Sequence, residues 1–199
     1  GLGDVYKRQE VYRLLAGPRT LAGALDCGKG AAPTNNGFVD GDYNRTQLSA
    51  TGTQYLDSNR ANDADPQDDN HNAVYAPTLG VSGSYIGSGV HPTRGINGID
   101  LGNHRSRHRN STSYTPEAGF IGTSRSISAS YSFVSANSEV TVNRSPQAPN
   151  SDNVHVFDNG TTSAKLVGSL SFYSIGTALD LVALRARFLT YITTIEGIV

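Results

Sequence analysis

The sequence predicts an all-β protein, a sandwich or barrel of short strands closed by a single C-terminal helix. Three observations carry this reading. Gly accounts for 22 of the 199 residues and charged residues for only 17%. That balance excludes long helices laced with Glu–Lys pairs and suits short strands joined by Gly, Asn and Ser turns. From Thr46 onward, short alternating or β-branched runs recur between turn signals spaced about 8 to 15 residues apart, as in sandwiches and barrels. Only the final stretch, TALDLVALRARFLTYITTIEGIV, places its apolar residues at the 3.6-residue period of a helix.

The elements follow in chain order. The opening GLGDVYKRQ has no fold signature; Asp4–Gln9 resembles the translation of a transposon-end adapter from a sequencing library, with Gly1–Gly3 of the same origin. Residues 1–9 are therefore expected to stand outside the fold, and the natural chain to continue upstream. Residues 10–45 form an irregular N-terminal segment: EVYRLLAG suits half a helix or a strand, and GKGAAPTNNGFVDGDYN is turn chemistry. Its GKG lacks the frame of a phosphate-binding loop. TQYLDS predicts a strand, followed by the polar loop NRANDADPQDDN and a strand in HNAVYAPT that Pro77 ends. Further strands are predicted in SYIGSG, GINGIDLG, HRSRHRNS, EAGFIGTSRS, SISASYSFV, SEVTVNRS, NVHVFDNG and AKLVGSLSFYSIG. The helix is predicted over about 178–197, with Asp180 or Thr177 as N-cap and Gly197 as its stop. Its stripe of Leu181, Leu184, Phe188, Tyr191, Ile192 and Ile195 is expected to pack on the domain's own sheet, because about two heptads are too few for a trimer seam.

Net charge is −1 and the pI about 6.6, so no global field draws the chain to nucleic acid or to an anionic membrane. No apolar run reaches the ~20 residues of a membrane span. A single cysteine, Cys27, allows no internal disulfide, and Asp26 before it argues against lipidation.

Several motifs resemble the concanavalin A-like (LamG-like) jelly-roll modules of phage and metagenomic proteins. SFYSIG before the terminal helix resembles that group's F-x-S-I-G strand, and GTQYLDSN its G-x-x-Y-L-D-(S/T)-N phrase. GFIGTSR and SEVTVN resemble two further strands. The resemblance covers residues 46–195 and implies an antiparallel β-sandwich of jelly-roll type. It also implies a setting in tail fibre-like, virion-associated proteins, where such modules serve as spacers or contact cell-surface glycans beside other virion subunits. A module of a secreted bacterial carbohydrate-active enzyme is the alternative. The group shares no catalytic set to carry over, and the fold alone does not choose a function.

The candidate site residues come from chemistry. Arg105, Arg107 and Arg109 alternate in HRSRHRN, and three guanidinium forks on one strand face suit carboxylated or sulfated glycans or phosphate; the other reading is a charged edge that resists pairing. Ten Tyr and no Trp make tyrosine the stacking residue for a sugar, with Tyr85 and Tyr114 in short polar contexts as candidates. Asp63, Asp65, Asp68 and Asp69 supply oxygen ligands of the kind Ca2+ takes, without EF-hand spacing. No cofactor other than that ion is suggested. No enzyme is expected: H-E-x-x-H, a G-x-S-x-G elbow and a close acidic pair on one strand are all missing. Four N-x-(S/T) sequons, at Asn44, Asn110, Asn143 and Asn159, matter only in a glycosylating host.

Overall fold

In the computed structural model, which describes residues 9–89, 94–95, 97–108, 110–136, 138–161 and 165–197, the strands pair into two seven-stranded antiparallel sheets and a three-stranded one. In chain order the elements begin with β1 (Gln9–Leu14), α1 (Leu21–Asp26), β2 (Gly28–Lys29), β3 (Thr34–Asn36), β4 (Tyr43–Asn44) and β5 (Gln47–Thr51). There follow β6 (Tyr55–Ala61), β7 (Asn70–Ala76), β8 (Ser84–Gly87), β9 (Gly98–Asp100), β10 (Asn103–Arg105) and β11 (Thr112–Ser113). The last are β12 (Gly119–Arg125), β13 (Ser130–Ser135), β14 (Ser138–Asn143), β15 (Asn153–Val156), β16 (Val167–Leu170), β17 (Phe172–Gly176) and α2 (Leu181–Glu196). The first sheet runs β14-β13-β12-β7-β17-β1-β2 and the second β11-β10-β9-β8-β15-β6-β3; β16-β5-β4 form the small one. The chain is an all-β sandwich with one C-terminal helix.

The central strands of the first sheet are buried on both faces, which is why β12 and β17 show no exposed position. Val11, Val74, Ile121, Phe133, Tyr173 and Ile175 point inward, against Leu56, Ile86, Ile99, Val154 and Val156 of the second sheet. Their alternate neighbours Ala73, Phe120, Val134 and Phe172 point outward and are covered by Leu181, Leu184, Phe188 and Ile192 of α2. The expected helix is thus present, and its stripe packs on its own domain. Asp180 caps it, accepting from the Ala183 N–H at 2.9 Å, while the carbonyl of Thr177 accepts from His71 instead. Gly122 lets the helix come close: a Cβ there would stand 3.1 Å from Leu181 and 3.2 Å from Ala73.

The N-terminal segment departs from expectation. Residues 10–45 are not irregular throughout, because β1 pairs along β17 from Gln9↔Gly176 to Leu14↔Phe172, and β3 pairs with β6. Of the nine residues expected outside the fold only Gln9 is described, and its buried amide donates to Ser174 Oγ at 3.1 Å. The guanidinium of Arg13 anchors the segment. It donates to the carbonyls of Leu25 at 2.7 Å and Gly30 at 3.0 Å, and also to those of Lys29 and Ala31. The sequence carries no local signature of this, because the carbonyls lie 12–18 residues downstream.

Candidate functional site

A cleft of about 370 Å3 opens where the edges of the two large sheets part. One wall is the β13–β14 hairpin, with Phe133, Ser135, Ser138, Val140 and Val142; the other brings His104, Thr112, Ser113 and Tyr114 from β10, β11 and the turn beyond. Thr115 and Glu117 form the lip. β14 is an edge strand, so its inward-facing valines lack the cover a further strand would give, and Val140 is 52% exposed.

Aromatic contacts fix the base of the cleft. His104 stacks on Phe133 across the two sheets, centroids 3.6 Å apart and planes 1° from parallel. Tyr114 meets both rings edge-on, at 4.9 Å from Phe133 and 5.8 Å from His104. Its hydroxyl donates to the Asp100 carbonyl at 3.0 Å, so the ring is held before any ligand arrives. Burial, and then the nearby Tyr85, push the Tyr114 phenol well above its usual range. Burial, aided by the positive charge of Arg144, holds His104 down to about 4, so the ring is neutral at pH 7. The Tyr131 hydroxyl lies 3.2 Å from His104 Nδ1 and 3.4 Å from Thr112 Oγ1.

Ser135 stands apart from these satisfied groups. It lines the cleft, it is 4% exposed, and its hydroxyl has no hydrogen-bond partner among the described residues. A buried hydroxyl left unmade costs free energy. A ligand hydroxyl in the cleft would supply the missing bond.

The residues expected to bind ligands fare differently. Tyr114 is in the cleft, on the turn after β11. Tyr85 is fully buried in the sandwich core and its hydroxyl accepts from the Gly80 N–H at 3.1 Å, so no sugar can stack on it. The strand expected through HRSRHRN ends at Arg105, because Arg107 takes φ +52°, and Arg105 and Arg107 do not share a strand face. Arg105 pairs with Asp100 at 3.3 Å. Arg107 is 1% exposed and donates to the carbonyls of Asn62 and, at 3.1 Å, Asp65. Arg109 lies outside the described residues.

The four aspartates do not converge. Asp65 is buried against Arg60, with contacts of 2.6 and 3.1 Å, and Asp69 accepts the Ala178 N–H at 2.7 Å. Asp63 and Asp68 are exposed. Among the described residues no three His, Cys, Asp or Glu side chains are placed to hold a metal ion. His104, Phe133, Ser135, Val140, Val142 and Glu117 were not expected in a site. The one available signal was Val140 and Val142, alternating apolar residues in a strand otherwise made of Ser, Glu, Thr and Asn.

No family model matches the chain, and no curated protein matches it. Among solved structures, the chain is similar to domain 4 of AbnA, a GH43 extracellular arabinanase from Geobacillus stearothermophilus, in complex with arabinotriose. The TM-score is 0.46 at 10% identity, over 86% of this chain and 84% of that one. What the strands and the cleft define together is a β-sandwich with an aromatic-based cleft at one edge.

Proposed function

We propose that the chain is a non-catalytic carbohydrate-binding module that takes a glycan into the Tyr114 cleft. The observation that carries this is the unpartnered Ser135 hydroxyl in a cleft based on a fixed tyrosine ring. A sugar presents C–H faces and hydroxyls together, and the cleft offers the complement: Tyr114, Val140 and Val142 for the faces, Ser135, Ser138, Thr112, Ser113 and Thr115 for the hydroxyls. Binding costs little ordering, because hydrogen bonding and packing already hold the Tyr114 ring.

Among the described residues, Glu117 is the one carboxylate lining the cleft. Glycoside hydrolysis ordinarily uses two facing carboxyl groups, which supports a binding rather than a cleaving role. For the setting, the LamG-like motifs support a virion-associated, tail fibre-like protein whose partners are other virion subunits and cell-surface glycans. An accessory module of a secreted carbohydrate-active enzyme would use the same cleft.

A glycan array followed by calorimetry tests the function. Ser135→Ala and Val140→Lys are each expected to weaken binding about tenfold, equivalent to ~1.4 kcal/mol. Ser135→Ala should leave the unfolding midpoint in urea unchanged or higher, since it removes an unsatisfied hydroxyl. Wild-type affinity in both variants would show that the glycan binds elsewhere. Release of reducing sugar, abolished by Glu117→Gln, would overturn the non-catalytic assignment.

A further inference from the structure

We infer that β14 is a self-pairing edge, through which two copies of the chain join their first sheets antiparallel about a two-fold axis at Thr141. β14 ends the first sheet. It is six residues long, pairs with β13 in unbroken register from Ser130↔Asn143 to Ser135↔Ser138, and exposes Ser138, Glu139, Val140, Thr141 and Asn143. Edge strands that avoid partners are short, bulged, or guarded by Lys or Pro. The other outer strands of the two large sheets, β2, β3 and β11, are only two or three residues long. SEVTVN is long, regular and free of both guard residues.

The direction of its free backbone groups follows from the β13 pairing. The N–H of Arg144, one residue beyond the strand, donates to the Ala129 carbonyl at 3.0 Å and continues the register. Backbone groups alternate in direction along an antiparallel pair. Ser138, Val140 and Val142 therefore bond to β13, whereas Glu139, Thr141 and Asn143 turn N–H and C=O to the open edge. A second β14, laid antiparallel with Thr141 opposite the partner's Thr141, engages those groups in full. The same register sets Val140 against the partner's Val142 and Glu139 against the partner's Asn143. Apolar and Thr–Thr pairs are favourable across strands, and along this stretch like charges do not meet. Val140, 52% exposed, is covered by the pairing. A slip of one residue would send one copy's valines to the opposite face. The strand that complements SEVTVN is thus its own reverse, and the occupant is a second copy rather than a foreign strand. Val140 and Val142 also line the cleft, so the two clefts meet edge to edge on one side of the dimer.

Sedimentation equilibrium of the full chain over about 1–300 μM, a range suited to a small interface, tests this. The expected result is a monomer–dimer equilibrium. Thr141→Pro should weaken the dimer tenfold or more and leave the fold intact, since it removes an N–H that β13 does not use. Thr141→Lys, at an exposed position, should do the same by setting like charges together at the axis. An equimolar mixture of Thr141→Lys and Thr141→Glu chains should regain dimers, because position 141 meets its own counterpart. A chain monomeric throughout, a dimer that Thr141→Pro and Thr141→Lys leave intact, or a mixture that stays monomeric overturns the pairing. Glycan binding by the cleft is read separately on the array and does not depend on these outcomes.

Discussion

Three arginines, Arg13, Arg107 and Arg125, are among the largest fully buried side chains of this protein, and the described hydrogen bonds of each guanidinium go to carbonyl oxygens. A planar fork with five donors can gather carbonyls from separate turns, which a lysine ammonium cannot. Arg125 draws in the carbonyls of Ile127, Ser128 and Ser130 at 3.2–3.4 Å and that of Ser106 at 2.9 Å, and its guanidinium lies 5.1 Å from the Tyr131 ring centroid. Arg13 does the same for the segment from Leu25 to Ala31. Replacing Arg13 by Met should strand those carbonyls and lower stability by about 3 kcal/mol, read as a lower urea midpoint. Arg13→Lys should recover less than half of the loss. A midpoint unchanged in Arg13→Met would mean that water satisfies the carbonyls equally well. The same chemistry explains why HRSRHRN misled: an arginine that caps carbonyls and one that binds anions look alike in sequence. Only the left-handed turn at Arg107, φ +52°, separates the two.

Between elements, the decisive relation is that the first sheet is a middle layer. Its central strands face the second sheet on one side and α2 on the other. The short runs of alternation made the strands legible, and the 3.6-residue stripe made the helix legible. Which sheet the helix covers was not, because GFIGTSR and SFYSIG hold small residues on both faces for reasons that appear only when Leu181 is seen beside Gly122. The place of β1 was hidden similarly: its partner β17 lies over 150 residues away, and no local period reports a pairing of that range. Layer packing makes a sharp contrast within α2. Phe188 is 4% exposed and packs against Tyr75 and Phe172, with centroids 4.9 and 4.6 Å away, whereas the adjacent Leu189 is 39% exposed. Phe188→Ala is expected to cost about 3–5 kcal/mol, and Leu189→Ala less than about 1 kcal/mol. Chemical denaturation of the two variants checks this, and similar losses in both would mean that the helix packs in another rotation. The cleft was half legible for a related reason. Tyr114 was found from composition, but Phe133 and His104 belong to different sheets, and their stack exists only once the sandwich closes.

For the molecule as a whole, His71 joins the layers. Its Nδ1 is 2.7 Å from the Thr177 carbonyl, on the approach to α2, and its Nε2 is 2.7 Å from Ser174 Oγ on β17. Neutral imidazole satisfies both, donating to the carbonyl and accepting from the hydroxyl, whose oxygen accepts in turn from Gln9 on β1. Burial holds His71 down from 6.5 to about 4, opposed by the Thr177 carbonyl and the field of Asp65. His104, in the other half of the sandwich, is held near the same value by burial and Arg144. The unfolded chain protonates both imidazoles as pH falls through about 6.5, while the folded chain does not until about 4. Below pH 6.5 the unfolded state thus binds more protons, so the histidine contribution to stability is complete above 6.5 and declines towards pH 4. For fully buried His71 the whole loss is about 3 kcal/mol. Most carboxylates titrate near or below 4, so the upper part of this window belongs to the histidines. Urea midpoints at pH 7, 5.5 and 4.5 should fall in sequence, and the imidazole proton resonances of His71 and His104 should not move until well below pH 6. A midpoint constant across that range, or resonances titrating near 6.5, would show that water or a counter-charge reaches these rings. The base of the cleft would then be a histidine free to charge, and the His104–Phe133 stack would loosen in acid.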